Sequence, residues 1–170
     1  MEELFVADLN KRPLRLRLHP DAVLRRISEP VPSFTAEMDD FMGDMLAFMK
    51  EHNGIGLAAP QVGINLRILV AEIEGRPLMI ANPEIVGSTK MAERKEEGCL
   101  SIPNRTFDVE RHCGIEVKAR TAAGGRIHFE AEGLFARVLQ HEIDHLDGVL
   151  ICDNGIERQS AGKETPDAYL

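Results

Sequence analysis

The stretch from Gly133 to Asp147 reads GLFARVLQHEIDHLD, and Gly148 follows it. Apolar residues recur in it at spacings of three to five positions, which indicates a helix with one inward face. The glycine after Asp147 is typical of a helix end. We therefore predict a helix over residues 133–147, with inward positions at Leu134, Val138, Ile143 and Leu146.

Two histidines of this helix, His141 and His145, lie four residues apart. Their imidazoles therefore project side by side and reach one metal ion. Glu142 points about 100° away around the helix, so it is available to act on water rather than to bind the metal. The spacing is typical of a hydrolytic metal site, and its alternative is a pair of surface histidines.

A catalytic site of this kind needs a third protein ligand. The metzincin pattern places it six residues after the second histidine, where this chain has Ile151, so that class is excluded. The thermolysin-like pattern takes a glutamate from far downstream, but only 170 − 145 = 25 residues follow His145. Cys99, in the segment EGCLS (97–101), remains as a soft thiolate donor, and its alternative is a small buried apolar residue.

A third segment, GIGLAAPQVG (54–63), is small, apolar and almost free of charge. One interpretation is a helix cap followed by a tightly packed loop. Another is a loop that lets a substrate backbone lie against protein backbone, with Gln61 as an amide donor.

The composition indicates one ordinary globular domain. The chain has 170 residues, 44% hydrophobic residues and a formal net charge of −8, which argues against a chain-wide nucleic-acid surface. Apolar runs are too short to span a membrane, and three cysteines are too few for a disulfide framework. We expect a cytoplasmic protein with one catalytic domain over residues 1–150 and an irregular tail over residues 151–170.

Elsewhere the pattern predicts a methionine-rich helix from about Phe34, ended by Gly54. An extended start precedes it at residues 14–18, and a hairpin turn is predicted at Gly124–Gly125. Predicted strands cover residues 66–73, 77–81, 115–119 and 127–131. Helix, then strands, then helix predicts an α+β fold.

Taken together, residues 54–61, 97–101 and 140–146 resemble the peptide deformylase family, which has the same three motifs in the same order. The resemblance extends from about Leu18 to Leu150. It implies antiparallel sheets around a central helix that carries the HExxH motif, with a further N-terminal helix. It also implies hydrolysis of the formyl group of N-formylmethionine on new polypeptides, with release of formate.

The resemblance assigns the chemistry to named residues. Cys99, His141 and His145 are implied as metal ligands, and Glu142 as the general acid and base. Gln61 and the Leu100 amide are implied as donors to the developing oxyanion.

The resemblance also implies how a peptide binds. Ile55, Leu134 and Val138 are expected to line a pocket for the methionine side chain. The peptide backbone is expected to lie along residues 55–56 (Ile55 and Gly56) and 97–98 (Glu97 and Gly98) as an added strand. We further expect Glu97 to pair with Arg111.

The family suggests Fe²⁺ as the physiological metal, with Ni²⁺, Co²⁺ or Zn²⁺ as substitutes. N-formylmethionyl nascent peptides are the expected partners, with at most a transient ribosome contact, no nucleic-acid specificity and no membrane. The acidic segment 152–170 argues against docking on the ribosome through a basic terminal helix.

Two other functions share these features. A metallopeptidase that cleaves internal peptide bonds would use the same helix motif, but the missing downstream ligand and the Cys99 segment count against it. A metal-stabilised peptide-binding module would be expected to lack Glu142 or Gln61, and both are present.

Overall fold

A computed structural model describes residues 13–158 and residue 170 of the chain. It contains three α-helices in this part of the chain: α1 (Ala36–Glu51), α2 (Gly133–Leu146) and the short α3 (Ile151–Asn154). Two short 3-10 helices, Ala22–Arg25 and Ala59–Val62, lie in the connections. The two predicted helices are confirmed. None of the helices in the described residues has the length and apolarity that a bilayer crossing requires.

The strands form two antiparallel sheets. In chain order they are β1 (Gly56–Ala58), β2 (Ile68–Ile73), β3 (Arg76–Ser88), β4 (Ala92–Cys99), β5 (Ile102–His112), β6 (Gly114–Thr121), β7 (Arg126–Glu132) and β8 (Ile156–Glu157). One sheet has the order β1-β2-β3-β6-β7 and the other has the order β4-β5-β8. The α+β class expected from the sequence is confirmed.

Helix α2 lies between the two sheets. Its apolar residues Ala136, Leu139, Ile143 and Leu146 pack against the five-stranded sheet. Its polar residues Arg137 and Gln140 bond to the β4–β5 hairpin. Because one helix contacts both layers, it sets the position of the hairpin relative to the large sheet.

Helix α1 covers the other part of the core with its methionines. Met38, Met42, Met45 and Met49 are fully buried, together with Phe41. They pack with apolar residues of β2 and of the loop after β1. The predicted core-facing methionine face is therefore confirmed.

Strands β4 and β5 were not predicted, because β4 reads AERKEEGC and most of these residue types have low β-propensity. Pairing with β5 along nearly its whole length makes β4 a strand, while its first five residues stay exposed. Strand β3 also runs seven residues past the predicted end at Ala81, since it pairs with β6 beyond a bulge.

Two further predictions need correction. Leu134 was expected to face the core, but its side chain is 53% exposed because it lies in the first turn of α2, at the edge of the packed region. Residues 151–157 were expected to be irregular, yet they form α3 and β8, since Ile151 is buried and β8 pairs with β5. At the predicted extended start, Leu14 and Leu16 are half-buried while Arg15 and Arg17 are exposed, and the segment pairs with no strand in the described residues. The remainder of the predicted tail, residues 159–169, lies outside the described residues.

The burial of α1 leads to a test of stability. Replacing the fully buried Met45 with alanine, Met45→Ala, is expected to lower the free energy of unfolding by about 2–5 kcal/mol, because it removes packed apolar volume and leaves a cavity. The matched control is Met91→Ala, where the side chain is 71% exposed, with an expected change below about 0.5 kcal/mol. Urea unfolding of both variants measures the difference, and equal losses would contradict the packing described for α1.

Candidate metal centre

Three metal-ligating side chains converge where α2 faces the end of β4. The Sγ atom of Cys99 lies 3.3 Å from Nε2 of His145, and the two histidine Nε2 atoms lie 3.2 Å apart. All three residues are buried. The structure therefore brings together the three residues that the sequence motifs suggested as ligands.

An irregularity in the β4–β5 hairpin carries Cys99 to this position. Gly98 pairs with Thr106, whereas Cys99 pairs with Ile102, so residues 103–105 bulge out of β5 between them. Asn104 within the bulge has a φ of 62°, a value that asparagine tolerates better than most residues. Such a bulge re-aims the side chains next to it.

The charges of the site favour a bound cation. Burial raises the pKa of the Cys99 thiol, and the negative charge of Glu142 raises it further. Burial lowers the pKa of His145, as does the neighbouring His141. A thiolate is therefore stable here only beside a positive ion, while His145 is held neutral with a lone pair to donate. One soft sulfur and two imidazole nitrogens suit iron, zinc or a similar transition metal.

Glu142 lies beside these ligands with both carboxylate oxygens buried and without a hydrogen-bond partner in the described part of the chain. Burial raises its pKa well above the ordinary range, and the charge of Glu97 adds to this effect. Gly56 of β1 faces it, since a Cβ atom there would collide with the carboxylate and lie 2.9 Å from Cγ1 of Val138. The carboxylate is therefore available for a ligand, water or substrate.

The amide of Gln61 is held by a backbone hydrogen bond on one side and points toward the Cys99 thiol on the other. Its Oε1 accepts a hydrogen bond of 2.8 Å from the Ala58 backbone N–H. Its Nε2 lies 3.2 Å from the Ser101 hydroxyl oxygen and 3.7 Å from Sγ of Cys99. Leu100, directly after Cys99, is almost fully buried. The sequence motifs did not indicate a role for Ser101.

Behind the ligands, the Glu97 carboxylate accepts four hydrogen bonds. Arg111 donates two of 3.0 Å, Arg137 donates one of 2.7 Å, and Nδ1 of His141 lies 3.0 Å away. Burial alone would raise the pKa of Glu97, but the bonds from His141 and Arg111 outweigh it and lower the pKa to about 2. The predicted Glu97–Arg111 pair is confirmed.

Arg137 and Asp144 also belong to this network, although the sequence motifs did not indicate them. Asp144 of α2 accepts a hydrogen bond from Arg111, and Arg137 bonds Glu97 directly. A signal was present, because Arg137 and Asp144 lie four residues before and three after His141 and so share its side of the helix.

The residues expected to bind a peptide lie around this centre. Ile55 and Val138 belong to one apolar cluster beside Gly56, whereas the exposed Leu134 lies one turn earlier on α2. Gly56 is in β1 and Gly98 is in β4, and each of these strands is an edge strand of its sheet in the described residues. Unpaired backbone groups on such edges accept an added strand.

The fold and this site define a metal-dependent hydrolase of the HExxH class. A family model described as polypeptide deformylase matches residues 13–161. Peptide deformylase from Thermotoga maritima is 42% identical over 139 residues, which are 82% of this chain and 85% of that protein. The chain belongs to the polypeptide deformylase family, whose members are metalloenzymes that hydrolyse formyl groups from peptides.

Solved structures agree with this assignment. The crystal structure of the T. maritima protein has a TM-score of 0.82 and covers 84% of this chain and 97% of its own. A deformylase from Synechococcus elongatus in complex with actinonin is 42% identical, with a TM-score of 0.83 and coverage of 88% and 82%. A Met-Ala-Ser-bound deformylase from Acinetobacter baumannii is 32% identical, with a TM-score of 0.80 and coverage of 84% and 98%.

The Glu97 network predicts a pH dependence of the metal-free protein. Its pKa of about 2 lies below the ordinary value of 4.5, so the ionised carboxylate stabilises the fold above pH 4.5. This contribution is lost as the pH falls from 4.5 toward 2. Carbon NMR of the Glu97 carboxyl measures its titration directly. Arg111→Gln is expected to raise this midpoint toward 4.5. Arg67→Gln, which removes an arginine at the C-terminal end of α2, should leave it unchanged. A wild-type midpoint near 4.5 would contradict the network.

Proposed function

We propose that Cys99, His141 and His145 hold one divalent metal, and that Glu142 moves the proton in the hydrolysis of N-formylmethionyl peptides. The observation that carries the proposal is the buried, unpartnered carboxylate of Glu142 beside three converging ligand atoms. A buried charged group without partners is costly, and such cost is typical of functional sites.

The chemistry divides between the metal and the protein. When bound, a divalent metal supplies a Lewis acid and activated water at neutral pH. Glu142 accepts the proton of the attacking water and later delivers it to the leaving amine nitrogen. This second transfer balances the reaction, because the products are formate and a peptide with a free amino terminus. Both oxygens of the Glu142 carboxylate are buried beside the ligand atoms without a hydrogen-bond partner in the described residues, so they are available for this exchange.

Gln61 and the Leu100 backbone N–H are proposed to stabilise the oxygen that gains negative charge as the formyl carbon becomes tetrahedral. The hydrogen bond from Ala58 to Oε1 holds the Gln61 amide with its N–H groups toward the metal side. A donor fixed in advance needs no reorganisation during the reaction, and loss of one typically costs about 2.7–4 kcal/mol of barrier.

The peptide is proposed to bind as an added strand between the edges of β1 and β4. Main-chain bonds to residues 55–56 and 97–98 would give affinity with little sequence preference beyond the first residue. Ile55 and Val138, with Leu134 at the rim, would take the methionine side chain. The related A. baumannii protein with bound Met-Ala-Ser supports a peptide of this kind.

The metal and the cellular setting are proposed from the family. We keep Fe²⁺ as the physiological metal, with Ni²⁺, Co²⁺ and Zn²⁺ as substitutes, since a thiolate and two imidazoles accept all four. Nascent chains in the cytoplasm are the proposed substrates, and any ribosome contact would be transient. One catalytic domain over residues 1–150 stays a prediction, although the family match continues to residue 161.

Replacing the acid and base tests the proposal. Glu142→Gln keeps the shape of the side chain but removes the proton acceptor, so formate release from formyl-Met-Ala-Ser is expected to fall by about 10²–10⁴-fold. Metal content is expected to stay at one ion per chain, because Glu142 is not assigned as a ligand. Glu130→Gln, which removes the same charge from the distant strand β7, is the control.

Three outcomes would contradict the proposal. Unimpaired turnover of Glu142→Gln would remove Glu142 from its role. Wild-type, metal-loaded protein that binds the formylated peptide without releasing formate would favour a binding module. Internal cleavage of an unblocked peptide would favour a metallopeptidase.

A further inference from the structure

Arg137 makes an unusual set of contacts for a helix arginine. The residue is only 6% exposed, and it lies one turn before His141 on α2. It donates to Oε1 of Glu97 at 2.7 Å, to the Val109 carbonyl at 2.9 Å and to the Glu93 carbonyl at 2.6 Å. All three acceptors belong to the β4–β5 hairpin.

This connection joins the two parts of the chain that supply the metal ligands. The hairpin carries Cys99, and α2 carries His141 and His145. Arg111 provides the matching connection on the other side of His141, because it bonds both Glu97 and Asp144. The two arginines thus attach the hairpin to the helix one turn before and about one turn after the first histidine ligand.

Glu97 connects the two arginines to the ring of His141. Its carboxylate faces Nδ1 of His141, which places the ring proton there and leaves the Nε2 lone pair for a metal. The fork of Arg137 reaches the Glu97 oxygen and two backbone carbonyls at once, whereas the three N–H groups of a lysine ammonium on a flexible stem lack this geometry.

We propose that Arg137 is a positioning residue that fixes Cys99 and His141 at the separation that a metal ion requires. The inference rests on the metal site of the proposed function. It predicts that loss of Arg137 weakens metal binding and changes the coordination geometry, beyond any effect on stability.

The experiment compares Arg137→Met and Arg137→Lys with Arg67→Met. Arg67 is a matched control, since it also anchors α2, donating to the Leu146 carbonyl, Asp147 and the Pro83 carbonyl, but it contacts neither the hairpin nor Glu97. The dissociation constant of Co²⁺ and the visible spectrum of the Co²⁺-loaded protein are measured, together with kcat and KM for formyl-Met-Ala-Ser.

For Arg137→Met, we expect the Co²⁺ dissociation constant to rise about 10–100-fold, as is typical when a partner of a metal ligand is lost. The thiolate-to-cobalt band should shift, and kcat should fall more than KM changes. The Co²⁺ affinity and spectrum of Arg137→Lys should lie between those of Arg137→Met and wild type. If Arg137→Met does not fold, Arg137→Lys is the variant that tests the inference. Arg67→Met should lose stability but keep the wild-type spectrum and Co²⁺ affinity.

An unchanged Co²⁺ affinity and spectrum in Arg137→Met would overturn the inference, and so would equal losses in Arg67→Met. In the case that Arg137→Met does not fold, Arg137→Lys with wild-type affinity and spectrum would overturn it. Failure of the proposed function is seen separately, as wild-type protein that binds Co²⁺ but releases no formate.

A second, independent observation concerns Leu170. Its side chain is 5% exposed and lies in a cluster with Ala71 and Val138, against which Ile55 and Ile73 pack. Val138 also lies beside Gly56, which faces the Glu142 carboxylate. Leu170 is thus seated on the apolar surface next to the metal centre.

We infer that Leu170 competes with the substrate's first side chain for this surface, an inference that rests on the proposed peptide site. Leucine and methionine have similar volume and exchange readily in apolar sites, so one surface accepts both. While Leu170 covers this surface, a molecule does not bind the substrate side chain. The measured peptide affinity therefore falls in proportion to the fraction of molecules in which the surface is free.

Leu170→Asp tests this competition, because a carboxylate is costly on an apolar surface. Its dissociation constant for Met-Ala-Ser by calorimetry, and its KM for formyl-Met-Ala-Ser, are expected to be about two- to tenfold lower than in wild type, with kcat unchanged. Leu170→Met should behave like wild type. Leu18→Asp, at an exposed leucine elsewhere, is the control.

Unchanged or weaker peptide binding in Leu170→Asp would overturn the inference. The calorimetric measurement does not depend on turnover, so absence of formate release from wild type would count against the proposed function alone.

Discussion

The arrangement of the site depends on one buried negative charge, the Glu97 carboxylate. Taking a carboxylate out of water is costly unless its oxygens are fully bonded, and here two arginines and a histidine supply the bonds. The arginines come from β5 and α2, and Glu97 itself comes from β4. Satisfying this single charge therefore requires hairpin and helix to meet in one orientation, and that orientation brings Cys99 to the histidines.

The polarity of α2 follows from the same requirement. One face of the helix packs its aliphatic side chains on the five-stranded sheet, while the opposite face is buried too, but with polar side chains. Such a face is stable only where each group has a partner. Its exceptions in the described residues are both oxygens of Glu142 and Nδ1 of His145. The Glu142 oxygens lie beside the ligand atoms, whereas Nδ1 is on the side of the His145 ring opposite Nε2, the atom that faces Cys99 and His141.

Much of this could be predicted from the sequence, because the informative patterns are local. The periodicity of α1 and α2 and the four-residue spacing of His141 and His145 need no knowledge of the rest of the chain. Strand β4 could not be found this way, since its charged residues are held in place by pairing with β5 and not by their own propensity. The role of Arg137 was missed for a similar reason, because its three acceptors lie 28 to 44 residues away along the chain.

The separation of the ligands along the chain also bears on folding. Cys99 and His145 are 46 residues apart, and strands β5 to β7 lie between them. Closing a loop of that length costs entropy that only the docked tertiary structure repays. The histidine pair exists as soon as α2 forms, but the complete set of donors exists only after the hairpin has docked. With the proposed ligand set, selective metal capture would require the folded chain, and a newly made polypeptide would acquire its ion as a late event in maturation.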